Sequence, residues 1–166
     1  ISSFSSIRSV NKSVKEQQAE LDHLWDAIPH KLQNNPELVA QYILQLQLLG
    51  LSDKAESRLR RFINKHWDER LVGYYGEIAG DLRTQLITAE GWLKDHPDNP
   101  HLQAALGRLC MRSQLWGKAK EYFERSLKLR TDPRIWLELG ELHKILQDAR
   151  GSQECYRNGL LAITKS

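Results

Sequence analysis

An all-α fold, a stack of antiparallel helix pairs wound into a right-handed superhelix, is what the 166 residues predict, and three observations carry it. Apolar residues recur at helical spacing in nearly every segment. Leu38, Tyr42, Leu46 and Leu49 form one stripe, and Ala119, Tyr122, Phe123 and Leu127 form another. No stretch alternates apolar and polar residues between hairpin turns; Tyr74-Tyr75 comes nearest and sits in a segment that reads better as helix. The 5 Pro punctuate the apolar stripes and never interrupt one.

The elements follow from that punctuation. A leading helix over about 14–28 stops before Pro29. Asn35-Pro36 opens a helix over 36–49, Asn99-Pro100 one over 100–113, and Asp132-Pro133 one over 133–146. Asn and Asp cap because their side-chain oxygen accepts an orphan backbone N–H, and proline suits the next position because its missing N–H costs nothing there. The remaining stripes place helices at about 53–65, 69–80, 82–95, 115–129 and 150–163, with Pro97 in the break before Pro100. Residues 1–13, beginning Ile1-Ser2-Ser3-Phe4-Ser5-Ser6, are expected as a frayed leader. The chain opens on Ile and not Met, and the expectation is a piece of a longer protein whose upstream part, including any membrane anchor, lies outside it.

The repeat decides the architecture. Pro100 and Pro133 stand one period of about 33 residues apart, as do Leu106-Gly107 and Leu139-Gly140, and Phe123 and Tyr156. Tyr75-Gly76 precedes Leu106-Gly107 by slightly less, and Pro36 begins a further unit. Helix-turn-helix content with a period near 34 is the tetratricopeptide pattern. Four units result, about 36–68, 69–99, 100–132 and 133–166. The last two carry the signature residues well, although Ser152 replaces the signature alanine in the last; the first two are degenerate. Gly and the small Ala119 let the two helices of a repeat approach closely, and the late aromatic fills the space beside them.

Three stretches are more particular than a generic repeat. They are His66-Trp67-Asp68 with Leu71-Val72 and Tyr75-Gly76; Ala89-Glu90-Gly91-Trp92-Leu93-Lys94-Asp95-His96-Pro97; and Leu106-Gly107-Arg108-Leu109-Cys110 running into Leu115-Trp116-Gly117-Lys118-Ala119. In this order and spacing they resemble the C-terminal domain of the HemY family of Gram-negative bacteria, over most of residues 20 to 160. The resemblance implies an inner-membrane protein associated with late protohaem biosynthesis, anchored by two N-terminal membrane helices with this domain on the cytoplasmic side. It implies membrane-associated haem-biosynthesis enzymes as partners and brings no catalytic residues.

Composition and motifs exclude much. With 24 basic and 21 acidic residues the net charge is +3, too slight to point to nucleic acid. No stretch approaches the roughly 20 apolar residues of a membrane helix. Two distant Cys make neither a disulfide framework nor a zinc site. No glycine-rich phosphate loop, nucleophile elbow or H-E-x-x-H occurs, so the chain reads as a non-enzyme without metal or cofactor. Cys110 reads as a small buried hydrophobe, and Trp92 and Trp136 read as packing residues. Trp116, at a helix start, reads equally as packing between repeats or as hydrophobic surface.

The first helix of each pair faces the groove of such an array, where extended peptides or a partner's helix bind. Counting along those helices gives Arg70, Glu77, His101, Ala104, Arg108, Met111, Arg112, Arg134, Leu137, Glu141 and Lys144 as groove residues. Arg108 and Arg112 lie four apart on one face, able either to clamp a partner's carboxylate or to pair with Glu141 and other acids across repeats. If the ligand is a haem instead, acting on a carrier or sensor, His101 and His143 are the axial candidates; a generic peptide adaptor is the third reading. Lys54, Arg58, Arg60, Arg61 and Lys65 form a basic run on an outer helix, a solvated face or a contact for an anionic membrane surface. Leu160, Leu161 and Ile163 mark an uncovered end where copies could associate.

Overall fold

The structure, a computed structural model, describes residues 12–165. Among the described residues there are ten helices and no strand: α1 (Val14–Ala27), α2 (His30–Gln33), α3 (Pro36–Leu48), α4 (Ser52–Lys65), α5 (Glu69–Tyr75), α6 (Leu82–Trp92), α7 (Pro100–Arg112), α8 (Trp116–Leu129), α9 (Pro133–Ile145) and α10 (Ala149–Thr164). The chain divides into two compact units. One comprises the residues up to Leu71 with Ile78–Asp81, the other Val72–Glu77 with the residues from Leu82 onward.

In the first unit, Ser13 and Glu16 form a reciprocal capping box that starts α1. The expected leader otherwise lies outside the described residues, as far as residue 11. The sequence reading has a simple break at Pro29, where the structure fits the one-turn helix α2. Gln33, at its end, donates through Nε2 to the carbonyls of Trp25 and Ile28 at 3.0 Å, a side-chain cap on the end of α1 beside the Ile28 N–H that the Trp25 carbonyl also accepts. Asn35 then caps α3 as expected, its Oδ1 accepting from the N–H groups of Glu37 and Leu38. Val39, Tyr42, Ile43 and Leu46 of α3 are buried with Ala55, Leu59 and Ile63 of α4 and Leu21 of α1.

The second unit holds the two regular pairs. Asn99 and Asp132 cap α7 and α9 by accepting from Leu102 N and Arg134 N. Ser126 near the end of α8 donates its hydroxyl to the Pro100 carbonyl at the start of α7, so the two helices run antiparallel. The signature glycines work as the sequence suggests. A Cβ on Gly107 would stand 2.6 Å from the Phe123 ring, and one on Gly140 would stand 2.5 Å from the Tyr156 ring. Ala119 and Ser152, at the small-residue positions of α8 and α10, are buried.

A shared turn joins the helices of a pair. Gly50, Gln114 and Gln147 have φ of 75°, 58° and 59°. The residue after each returns an N–H five residues back, Leu51 to Leu46, Leu115 to Cys110 and Asp148 to His143. This is the Schellman closure, which ends a helix on a left-handed residue.

The stretch expected as one helix over 69–80 stops at Tyr75. Glu77 N–H closes a turn on the Tyr74 carbonyl, and the Gln47 side-chain amide then binds both the N–H and the C=O of Ala79, at 2.9 and 3.1 Å, within the first unit. Those bonds replace the helical ones that residues 76–80 would have made. Helix α6 likewise stops at Trp92, with residues 93–95 closing short turns where helix was expected. Gly76 consequently differs in role from Gly107 and Gly140. A Cβ there would lie 2.7 Å from the Ala105 Cα, so it marks a close approach of backbone to α7. No helix among the described residues is long and apolar enough to cross a membrane.

Candidate functional site

Three expected groove residues of the second unit, Glu77, Arg108 and Arg134, meet in one place, joined by Glu138, which the sequence reading missed. Arg108 of α7 donates through Nε to both carboxylate oxygens of Glu138, at 2.9 and 3.1 Å, and through Nη1 to the Gly73 carbonyl at 3.3 Å. Its Nη1 also stands 3.4 Å from Glu77. Arg134 of α9 closes the set, with Nη2 2.9 Å from Glu77 and Nε 3.0 Å from Glu138. Two guanidiniums and two carboxylates therefore alternate, and the Arg108 side chain is only 13% exposed. The Arg134 guanidinium is pushed above its ordinary value, first by its hydrogen bond to Glu77 and further by the Glu138 charge.

Arg112, one turn beyond Arg108, is exposed and donates to the Gly76 carbonyl at 3.1 Å. With Met111, Phe123, Gly76, Glu77, Arg108 and Glu138 it lines a cavity of about 300 Å³, apolar inside and charged at the rim. Of the two readings for the arginine pair, pairing with acids describes Arg108, although Glu138 supplies the carboxylate. Glu141, the acid named from sequence, accepts from the Tyr156 hydroxyl instead. Leu137, counted as a groove residue along α9, is exposed, and Glu138 beside it, not counted, turns toward Arg108. Its spacing of four from Arg134 was the available signal.

The other candidates disperse. Arg70 belongs to the first unit, is exposed, and pairs with Asp68 at 3.5 Å. Lys144 is exposed and Ala104 is buried. His101 has Nε2 3.3 Å from Arg130 Nη1, and His143 has Nδ1 2.9 Å from Asp148, at the turn leading into α10. These two histidines line different cavities. Among the described residues no His, Cys, Asp and Glu group has metal-binding geometry. Leu160, Leu161 and Ile163 are exposed on α10.

The remaining sequence readings land mostly in packing. Cys110 is fully buried, and burial pushes its thiol up to about 11. Trp92 sets its ring edge-on to Tyr75 at 4.9 Å, and Trp116 and Trp136 pack on the core of the second unit. The basic run divides. Lys54 is bound to Asp22 at 2.6 Å and Arg60 to Glu56 at 2.9 Å, while Arg58, Arg61 and Lys65 edge a recess in the first unit.

The chain is similar to solved structures of MamA. A crystal structure of MamA superposes with a TM-score of 0.61 at 14% identity, covering 91% of this chain and 93% of that one. A double mutant, MamA RS-1 ArsTM, gives 0.59 at 15%, covering 92% and 86%. MamA 41-end from Desulfovibrio magneticus RS-1 gives 0.58 at 14%, covering 99% and 97%. The fold is tetratricopeptide-like. At these identities the likeness extends to the fold alone. No protein-family model and no curated protein matches the chain. Within that fold, the Arg108 network sits on the first helices α7 and α9 of the two regular tetratricopeptide-like pairs.

Proposed function

We propose that this chain is a non-catalytic, protein-binding tetratricopeptide-like module whose groove lies on α7 and α9 of the second unit. The observation that carries it is the apolar cavity lined by Met111 and Phe123, rimmed by Arg112 and the Arg108–Glu138–Arg134–Glu77 network. A network whose cations and acids are already matched holds its side chains in place before a partner arrives, which lowers the ordering cost of binding. Arg112 and Arg134, both exposed at the rim, would orient an extended segment, with one apolar side chain in the cavity.

The finer reading rests on the sequence resemblance. The run from Trp92 to Ala119 supports a HemY-type protein, held at the inner membrane of a Gram-negative bacterium by a separate N-terminal anchor, with this domain on the cytoplasmic side. Its partners would be the membrane-associated enzymes of late haem biosynthesis, which it would gather as a scaffold. Capture of those enzymes by the immobilised chain, wild type against Arg112→Glu, tests both levels. Loss of capture in the variant is the expected result. Equal capture by both removes the groove assignment, and capture only of proteins outside that pathway removes the haem-biosynthesis reading while keeping the adaptor.

A further inference from the structure

The first unit contains a second recess, of about 210 Å³, that the groove does not use. Its apolar side comes from Trp25, Val39, Tyr42, Ile43 and Phe62, with the Trp25 and Tyr42 rings stacked at 4.4 Å. Its charged side comes from Arg58, Arg61 and Lys65, on consecutive turns of one face of α4. The lining holds no carboxylate. Nearby, Asp22 already accepts from Lys54 Nζ and the Tyr42 hydroxyl, and Asp26 is the one other acid that bears on Tyr42. Arg58, Arg61 and Lys65 make no salt bridge to a described residue. His66 also lines the recess, and its Nε2 is buried with no hydrogen-bond partner.

Three cations gathered around an aromatic hollow repel one another; the Asp22 charge offsets part of this at Arg58, and an anion entering the recess would relieve it at Arg61 and Lys65. The buried His66 nitrogen, as an N–H, would gain from an incoming oxygen the bond it lacks. The volume falls below the roughly 300–1,000 Å³ usual for small-molecule sites and suits one large side chain. Val39, Tyr42 and Ile43 are recessed, with Tyr42 2% and Ile43 0% exposed, which leaves only the part-exposed Trp25 and Phe62, too small an apolar face to enter a bilayer as a membrane-binding surface must. We propose that this recess binds an acidic peptide segment of a partner protein, taking one aromatic or large apolar side chain against the part-exposed Trp25 and Phe62 while flanking carboxylates meet Arg58, Arg61 and Lys65.

This site is independent of the groove in the second unit, and its test does not involve Arg112. The probe is a fluorescein-labelled peptide, Ser-Asp-Glu-Phe-Glu-Asp-Ser, titrated with the whole chain and followed by anisotropy. Saturable binding that weakens with added salt is expected, with about a tenfold or greater loss in the double variant Arg61→Glu, Lys65→Glu. Both side chains are exposed, and an unchanged far-ultraviolet circular dichroism spectrum shows that this variant is folded. The charge-matched variant Arg83→Glu, Lys94→Glu, altered at exposed positions of the second unit, retains binding. Equal loss in both variants reduces the effect to net charge and overturns the site. So does unchanged affinity when the peptide's Phe is replaced by Ala, because the aromatic hollow then plays no part. Absence of peptide binding, with or without capture by phosphatidylglycerol vesicles, overturns it as well.

Discussion

In the second unit Arg108 and Arg134 meet Glu77 and Glu138 at 2.9 to 3.4 Å, whereas in the first Arg58, Arg61 and Lys65 edge a recess whose lining contains no acid. As spacing, Arg108 with Arg112 on α7 looks like Arg58, Arg61 and Lys65 on α4, cations on one face of a helix. The facing helix makes the difference: α9 brings Glu138 against Arg108, while α1 brings the Trp25 ring and an Asp22 already engaged by Lys54. Packing differs in the same direction. The second unit places backbone against backbone at Gly76, and the first leaves a hollow between its aromatic rings and its cations.

The contrast can be broken by substitution. The largest effect is expected for Gly76→Ala, whose Cβ meets the Ala105 backbone at 2.7 Å. Backbone cannot swing aside as a side chain can, so a loss of about 3 kcal/mol should appear in urea unfolding. The matched change Gly91→Ala, with nothing within 4 Å in helix α6, should stabilise by roughly 0.5–1 kcal/mol. Equal responses would remove the claim of close packing at Gly76.

Next, Arg108→Ala strands two part-buried carboxylates, with Arg134 left to share between them. A loss of about 2 kcal/mol is expected, less than for a fully buried pair because water reaches Glu77 and Glu138. Arg61→Ala should stay within about 0.5 kcal/mol. If the two cost the same, the networks do not differ in the way their geometry implies.

A smaller effect sharpens the account of the first unit. Burial alone would raise the Asp22 carboxyl, but hydrogen bonds from Lys54 and Tyr42 and the nearby Lys54 and Arg58 charges outweigh it, and the group lies below its ordinary 3.8. A carboxyl depressed by folding contributes stability that is present above its unfolded value and is lost as pH falls through the lower folded value. Asp22→Asn should therefore cost roughly 1 kcal/mol at neutral pH and flatten the acid limb of the stability curve. An unchanged acid limb would show that this pair contributes nothing. Last, the Cys110 thiol, pushed up to about 11 by burial, should react with a disulfide reagent at pH 8 only at the rate of unfolding. Fast labelling of the native chain would expose a looser second unit than its glycine contacts describe.

The fold was readable where the cause is local. Asn35, Asn99 and Asp132 cap their own helices, and Gly107 and Gly140 each face an aromatic within the same repeat. The early end of α5 was not readable, because the Ala79 backbone is satisfied by Gln47, more than thirty residues earlier. At the groove the arginines were legible by their spacing of four. Their backbone partners were not, since Arg108 and Arg112 donate to carbonyls of Gly73 and Gly76 that no residue type announces. The recess escaped notice for a related reason: α4 read as an outer helix with a solvated face, and only Gln33 pinning α2 to the end of α1 turns that region into a wall.

The left-handed residue at Gly50, Gln114 and Gln147 has a consequence for how such a chain can change length. The backbone enters and leaves the stretch 115–147 through the same bend, so a second copy of that stretch spliced after Gln147 would meet matching dihedral angles at both seams. Lengthening by that block adds one second helix and the next first helix, in register, without a new linker. The bend acts as a reusable splice point, and glutamine in place of glycine at two of the three shows that the point is kept even where the residue that suits it best is absent.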